Sequence, residues 1–535
     1  MSELEGDADS EFLSDGILFG FKLTGVDTTF KDVDMPNYKS ATNSAVRATV
    51  EETIRDEIRQ GNYVISATKP TVVSALGAIP KPNSTEVRLI HDCSRPHGHA
   101  VNDYITTGKF KFQTLDDATR ALQSGYYMAK IDLRHAYRSV PIHPANYKAT
   151  GCKWRFEGDD IDTFFYDTRL PFGAKCSPEI FHRLTQAVRR MMAKRGYHEI
   201  IVYLDDFLVI GSTYRECKEK YDALLALLQN LGFSISWRKL VPPTHCLTFL
   251  GVELNTTACT LTLPAAKLQE FQRLIVQFQH KRRATKHQLQ RLAGKLNWAC
   301  RVVYGGRTFL RILDLMNSMA STAKYRLSQS FYCDLSWWDS FLHVFNGRRP
   351  FLDNKPTVDV MTDSSSLAAG AFFRGDWIYF NFELDCPAWS SLHINHKETL
   401  AIILAAKRWA PQWANHRVLI HSDNQAAVQI INKGTTANTL IMEDLRDLFW
   451  LSARHNFHIT ALHIEGLRNT VADALSRLHE PQFLSRFYTA LLDYLPQRFV
   501  NNMPLRNHMS VDSCRFVFSR CTGPPARYAA APGSA

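Results

Sequence analysis

None of the 11 cysteines forms a Cys-x-x-Cys pair, and no Cys/His cluster has zinc-finger spacing. The chain is therefore expected to carry reduced thiols in the cytoplasm or nucleus, with neither a disulfide framework nor a zinc ribbon. No apolar run approaches membrane-spanning length, so no membrane partner is expected. The acidic opening, residues 1–15, does not read as a secretory signal. Negative charge is the scarcer sign: 52 Asp and Glu against 63 Lys and Arg leave a net +11, which points to a polyanionic partner without naming it. With 535 residues, 45% of them hydrophobic and 11% aromatic, the chain has the material for several packed domains.

The most informative stretch is Glu199-Ile200-Ile201-Val202-Tyr203-Leu204-Asp205-Asp206-Phe207-Leu208-Val209-Ile210-Gly211. Two β-branched apolar runs flank adjacent aspartates, the pattern of a buried hairpin whose turn raises paired carboxylates. Like charges held between apolar strands are costly, and a divalent cation is the usual way to neutralise them. Taken alone, two aspartates could equally form a solvated turn. The neighbouring segments decide the matter.

Residues 1–35 mix acids, Gly and Ser without periodicity and read as a flexible acidic leader. A helix is predicted over 46–60, closing at Gly61. A hairpin follows around Pro80-Lys81-Pro82-Asn83, with Lys81 and Arg88 as cations that could clamp a triphosphate or serve only as surface charge. A strand from Ala129 runs into a turn with the single carboxylate Asp132 at its edge, and 152–156 with 162–166 forms a second hairpin. Ser177 as N-cap and Pro178 start a helix with Phe181, Leu184, Val188 and Met191 on its apolar face. The carboxylate hairpin comes next, then a helix over 214–231 and strands over 233–237 and 247–254. This order gives an α+β layer with helices on one face of an antiparallel sheet. Asp132 and Asp205 would then lie at neighbouring strand ends, as two Mg²⁺ ions require.

Five ordered phrases resemble the palm motifs of reverse transcriptases: Asp132 to Tyr137, Leu170 to Pro178, Tyr203-Leu204-Asp205-Asp206, Gly232-Phe233 with Lys239, and Phe249-Leu250-Gly251. The resemblance implies that Asp132, Asp205 and Asp206 are catalytic and bind two metal ions. It implies that Lys81, Arg88, Tyr137, Phe172, Gly173 and Lys239 bind the nucleotide, and that Phe249, Leu250 and Gly251 form a primer grip. Where many members of the family have Gln, this chain has Phe172. Tyr137, five residues past the first aspartate, would lie beneath the incoming sugar and collide with a 2′-hydroxyl, which makes the product DNA.

Residues 256–355 turn helical. The basic face of a helix over 285–301, with Lys286, Arg291 and Lys295, is suited to tracking duplex phosphates. A second constellation follows: strands over 358–363, 368–373 and 377–382, a helix from His396 to Trp409, a strand over 417–421, a strand over 458–463, and a helix containing Asp473. The phrases Thr362-Asp363-Ser364-Ser365, His421-Ser422-Asp423-Asn424 and Asn469-Thr470-Val471-Ala472-Asp473 resemble the RNase H family. That resemblance assigns Asp363, Glu398, Asp423 and Asp473 as catalytic metal ligands and His463 as an aid to proton transfer or product release. No basic insert interrupts 434–438, so hybrid grip is expected from the connecting region or the polymerase.

The sequence therefore predicts a right-hand polymerase (fingers, palm, thumb), a connection segment and an α/β RNase H-like domain. The expected divisions are a leader at 1–35, fingers and palm at 36–255, thumb and connection at 256–355, an RNase H-like domain at 356–480, and a tail of unassigned role at 481–535. Expected partners are an RNA template, a DNA primer, RNA/DNA hybrid and dNTPs, with two Mg²⁺ per site and Mn²⁺ as the alternative. Ile90-His91-Asp92-Cys93-Ser94-Arg95-Pro96-His97-Gly98 followed by Val101-Asn102-Asp103 resembles the DIRS/Ngaro group of retrotransposons, with Gypsy-like and pararetroviral elements nearby. The rival readings are an RNA-dependent RNA polymerase, which Tyr137 disfavours, and a domesticated or inactive nucleic-acid-binding subunit.

Overall fold

The computed structural model describes residues 5–80, 86–303, 305–310, 323–344, 347–351 and 355–494. It divides into two compact units, Met1–Thr262 with the short return Pro350–Leu352, and Leu263–Arg349 with Asp353–Ala535.

The first unit is built on a four-stranded antiparallel sheet in the spatial order Val241–Thr244, Tyr127–Asp132, Asp206–Gly211, Ile200–Tyr203. Strand Asp206–Gly211 pairs with Tyr127–Asp132 in a register that sets Asp206 opposite Asp132, Phe207 opposite Ile131 and Val209 opposite Ala129. Phe207, Val209 and Ile131 are buried in one core with Val188 and Met192 of helix Ser177–Lys194 and Leu224 and Leu228 of helix Tyr214–Asn230. Each such side chain contributes roughly 1.5–3 kcal/mol by leaving water. The apolar face expected from Phe181, Val188 and Met191 is the face that packs here. Its start differs from expectation: Cys176 is the N-cap, and the Ser177 hydroxyl donates instead to the Pro171 carbonyl at 3.0 Å, tying the preceding loop to the helix.

A second sheet, ordered Val33–Asp34, Val72–Val73, Gly151–Trp154, Thr163–Asp167, Tyr63–Ile65, lies with helix Ser44–Arg59 in the region expected to form the fingers. The hairpin Leu76–Pro80 with Val87–His91 stands apart as its own ribbon. Two further expectations are corrected in this unit. The leader is structured: helix Ser10–Phe19 forms, and Leu13, Phe21, Leu23 and Phe30 are buried in the palm core. Asp7 and Asp9 explain its acidity, since they pair with Arg190 and Arg183 of helix Ser177–Lys194. The segment 233–237 is not a strand. It makes one isolated bridge, Ile235 to Leu133, and turns into a 3-10 helix at Trp237–Lys239.

The second unit holds a five-stranded mixed sheet ordered Asp376–Asn381, Ala368–Phe373, Thr357–Ser364, Arg417–Ser422, His458–His463. The first three strands are antiparallel and the last three parallel. Helix Ile394–Trp409 is buried along most of its length, as expected of a helix sandwiched between a sheet and a second helix layer. On the opposite face, Val471, Leu475, Phe483, Phe487 and Leu491 form a separate core with Ala368, Phe372 and Tyr379. Part of the tail thus has a structural role: helix Pro481–Tyr494 covers this face of the sheet. Residues 495–535 of the predicted tail lie outside the described residues.

The helical segment beginning at Leu263 belongs to this second unit rather than standing as a separate domain. Phe309 stacks on Trp337 with centroids 4.0 Å apart and meets Phe449 edge-on, while Arg446 pairs with the buried Asp334. The Thr308 hydroxyl donates to the Gly434 carbonyl at 3.1 Å.

Candidate active sites

Asp132 ends its strand, directly across from Asp206, and Asp205 sits in the turn between the hairpin strands. That turn is sharp because Leu204 adopts φ 53, a left-handed conformation uncommon for a branched side chain. The Leu133 N–H donates to the Asp205 carbonyl at 3.0 Å, which fixes the turn against the first strand. Two lysines serve this cluster: Lys239 Nζ lies 3.1 Å from Asp132 Oδ1, and Lys130 Nζ lies 2.8 Å from Asp206 Oδ1. Burial pushes the Asp205 carboxyl above its ordinary range, and the negative charge of Asp206 adds to the shift. Burial also raises Asp206, with Lys130 pulling the other way. Lys130 went unnoticed in the sequence, although strand alternation places it on the same side as Asp132, two residues on.

Several of the residues expected to meet the nucleotide gather nearby. Tyr137 packs against Phe172 and Phe181, with ring centroids 5.1 and 5.6 Å away. Burial, with the Asp205 charge next, pushes its hydroxyl up to about 12. The Arg88 guanidinium lies over the other ring of this stack, 5.3 Å from the Phe172 centroid. Phe172 is thus a hydrophobic floor that carries a cation. Gly173 has φ 146, and a Cβ there would lie 1.8 Å from the His91 carbonyl oxygen, so only glycine fits. The His91 N–H in turn donates to the Phe172 carbonyl at 2.9 Å. Asn102 clamps the same loop: its side chain donates to the Gly173 carbonyl at 3.0 Å and accepts from the Lys175 N–H at 2.8 Å.

Lys81 lies outside the described residues. Phe249 is fully buried and cannot touch a primer; it anchors the hairpin Cys246–Phe249 with Val252–Asn255, whose tip presents Leu250 and Gly251 at positive φ. The primer-grip expectation narrows to that tip.

The second cluster is tighter. Asp363 on the central strand, Glu398 on helix Ile394–Trp409 and Asp423 just past strand Arg417–Ser422 bring one oxygen each within 4.8 Å of one another. The aspartates of the first unit do not meet that spacing among themselves; Asp132 and Asp206 are each drawn to a lysine. Asp363 and Glu398 are only 3% and 4% exposed. Burial, reinforced by the charges of Asp363 and Asp423, pushes Glu398 up to about 9. Burial raises Asp363 to about 6, against the pull of the Ser476 hydroxyl, which donates to it at 2.6 Å. Glu398 Oε2 is buried with no hydrogen-bond partner among the described residues. An orphaned carboxylate oxygen facing two more carboxylates is the donor set a hard divalent cation takes.

Asp473 stands beside the trio, held by Arg477 at 2.9 Å, and adds its charge to the field at Asp363. The His463 Nε2–H donates to the Asp423 carbonyl at 3.0 Å, so the histidine touches the site through the backbone. The buried Asn469 side chain donates to the Thr362 carbonyl at 2.9 Å and joins the Asp473 helix to the Asp363 strand.

Residues 79–254 match the family model described as reverse transcriptase (RNA-dependent DNA polymerase). Protein P of Duck hepatitis B virus (isolate brown Shanghai duck S5) is 27% identical over 174 residues, 32% of this chain and 21% of that protein. The Gag-Pol polyprotein of Koala retrovirus is 30% identical over 193 residues, 35% of this chain and 11% of that protein. The chain thus aligns with less than a quarter of these relatives' lengths, and what they share with it is a reverse transcriptase domain. The foamy viral protease-reverse transcriptase in complex with dsDNA has a TM-score of 0.51 at 18% identity, over 83% of this chain and 87% of that one. The same protein in complex with RNA/DNA hybrid also has a TM-score of 0.51, at 17% identity, over 83% of this chain and 57% of that one. These likenesses show the fold: a right-hand polymerase followed by an RNase H-like domain.

Proposed function

We propose that the chain is an RNA- and DNA-templated DNA polymerase coupled to a ribonuclease that cuts the RNA strand of RNA/DNA hybrids. The observation that carries the polymerase reading is the register of Asp132 against Asp206, with Asp205 in the adjoining turn. In this reading Asp132, Asp205 and Asp206 hold two Mg²⁺ in the first unit, and Asp363, Glu398, Asp423 and Asp473 hold two in the second. Bound there, the ions would supply charge neutralisation and Lewis acidity for in-line attack at phosphorus.

The chain's own residues do the rest. Tyr137, braced by Phe172 and Phe181, closes the space a 2′-hydroxyl would need. Arg88 offers guanidinium donors to the triphosphate from above Phe172. Lys239 shields Asp132 before substrate arrives and is placed to meet negative charge that develops on phosphate. In the second unit Ser476 orients Asp363, and Glu398 keeps its proton until a cation draws near. His463, with Nε2–H given to Asp423, has Nδ1 left for proton exchange.

The two chemistries belong together: copying RNA leaves a hybrid, and removing its RNA strand frees the new DNA to serve as template. Hybrid would be recognised by backbone shape and 2′-hydroxyls more than by base sequence. We attribute the chain to a retrotransposon of the DIRS/Ngaro kind, on the phrases at residues 90–103, and place it in a reducing compartment, cytoplasm or nucleus, since the nine described cysteines are free thiols. Primer extension on poly(rA)/oligo(dT) with dTTP and with UTP, beside cleavage of a labelled hybrid, tests the reading. Extension with dTTP alone plus hybrid cleavage supports it. Tight hybrid binding with neither activity would make the chain an inactive nucleic-acid-binding subunit.

A further inference from the structure

Directly after Tyr137 comes an arginine with an unusual setting. Arg138 is 8% exposed and enclosed by the fingers: Nη1 donates to Asp167 Oδ2 at 2.5 Å, and Nη2 and Nε donate to Glu57 Oε2 at 2.7 and 3.1 Å. Its guanidinium lies 5.1 Å from the centroid of the buried Tyr63 ring. Asp167, 1% exposed, is itself fixed, since its other oxygen accepts the Arg169 N–H at 2.9 Å. Glu57 also accepts from Asn62 at 2.9 Å. These partners come from three separate elements of the fingers: helix Ser44–Arg59 carries Glu57, strand Tyr63–Ile65 carries Tyr63, and strand Thr163–Asp167 carries Asp167.

A cation taken this far out of water keeps its place only with matched, well-aligned anions, and the geometry is then specific. Arg138 sits in a 3-10 turn of three residues, Tyr137–Ser139. The turn follows His135, whose φ of 55 is a conformation a non-glycine residue holds only when its surroundings demand it. Besides the Arg138 anchor, the turn has local bonds: the Ser139 hydroxyl donates to the Ala136 carbonyl at 2.7 Å, and the Val140 N–H donates to the Tyr137 carbonyl at 3.1 Å. Neither ties Tyr137 to the fingers, and the next tether comes only past the turn, where the Val140 carbonyl accepts the Leu170 N–H at 3.0 Å. Within so short a turn the side chains of adjacent residues diverge, so Tyr137 reaches Phe172 and Phe181 while Arg138 reaches Asp167 and Glu57.

We propose that Arg138 is a positioning residue for sugar selection: clamped between Asp167 and Glu57, it fixes the turn that carries Tyr137 and thereby sets how strongly ribonucleotides are refused. This rests on the reading of Tyr137 as the ring that excludes the 2′-hydroxyl. A steric filter works by ångström-scale clearance, so a ring free to retreat admits the extra oxygen even though its chemistry is unchanged.

The test is the ratio of kcat/KM for dTTP over UTP on poly(rA)/oligo(dT) in the full chain, which a merely structural residue would leave alone while both rates fell together. Tyr137→Val is the control and should lower the ratio by about a hundredfold. Arg138→Met should lower it by about tenfold with Tyr137 intact, and Arg138→Lys, which keeps the charge without the fork, should fall between Met and wild type. Glu57→Gln removes the charge of one arm at a less buried position and should move the ratio the same way; it decides the matter if Arg138→Met does not fold. If Tyr137→Val relaxes selection and the Arg138 and Glu57 variants keep the wild-type ratio, the inference is wrong and the gate stands. If Tyr137→Val itself leaves the ratio unchanged, the gate reading fails, and the inference falls with it.

Discussion

Asp206 faces Asp132 across neighbouring antiparallel strands, and each carboxylate is met by a lysine, Lys130 at 2.8 Å and Lys239 at 3.1 Å. Two ammonium groups therefore offset part of the repulsion among the buried Asp132 and the half-buried Asp205 and Asp206 before any cation is bound. Because Lys130 opposes the burial that raises Asp206, Lys130→Met should leave that carboxyl protonated at higher pH. The acid limb of the primer-extension pH profile should then move upward, with activity at pH 7 down roughly tenfold. An unmoved limb would mean that Lys130 is spectator charge.

Glycine at 173 is set by the His91 carbonyl, 1.8 Å from where a Cβ would lie. Gly173→Ala should shift Phe172 beneath Arg88, cutting extension on the order of a hundredfold and costing about 1–3 kcal/mol of stability in the first unit. Hybrid cleavage by the same preparation should be unaffected. Full extension by the alanine variant would contradict the account of this loop.

Glu398 titrates in the opposite sense from a salt-bridged acid. Its carboxyl is raised from 4.5 to about 9, so the folded chain binds a proton that the unfolded chain has released. Between those values metal-free stability falls as pH rises, because the unfolded chain gains by releasing a proton that the folded chain retains. Glu398→Gln should therefore raise the Tm of the metal-free second unit at pH 8. The gain should shrink as pH falls toward 4.5, where the glutamate is protonated in both states. Saturating Mg²⁺ should reverse the order at pH 8, since only the wild type offers the full ligand set. Differential scanning calorimetry across this range checks both signs.

Much of this was legible in the sequence, and the reasons can be named. Asp205 and Asp206 stood out because apolar runs bracket them, and Asp363, Glu398, Asp423 and Asp473 through the ordered phrases that resemble the RNase H family. What escaped notice depends on partners far away in the chain. Asp7 and Asp9 looked like a solvated leader because Arg183 and Arg190 lie more than 170 residues on. Arg138 gave no local sign of Glu57 or Asp167. The Phe483, Phe487, Leu491 spacing of a covering helix was present and was passed over in a segment that ends in Ala, Pro and Gly. Residues 233–237 alternate like a strand, yet after the single Ile235 bridge the chain turns to bring Lys239 to Asp132.

The segment from Leu263 belongs with the nuclease-like sheet, which sharpens the expectation about hybrid grip. A chain beginning at Leu263 should fold and cleave hybrid. One beginning at Pro356 would lose the aromatic cover of Phe449 from Phe309 and Trp337 and the buried partner of Arg446, and should lose cleavage. Within the full chain, Arg446→Met removes the cation beside the buried Asp334, at a cost of roughly 3–5 kcal/mol in urea unfolding of the second unit. A Pro356 start with full cleavage would show that the helical segment is dispensable.

The most direct test of two independent carboxylate centres is a paired assay on two single variants. Asp205→Asn should lower dTTP extension on the order of a thousandfold and spare cleavage of a labelled RNA/DNA hybrid, while Asp423→Asn should do the reverse. Loss of both activities from either variant, with folding intact, would contradict the account.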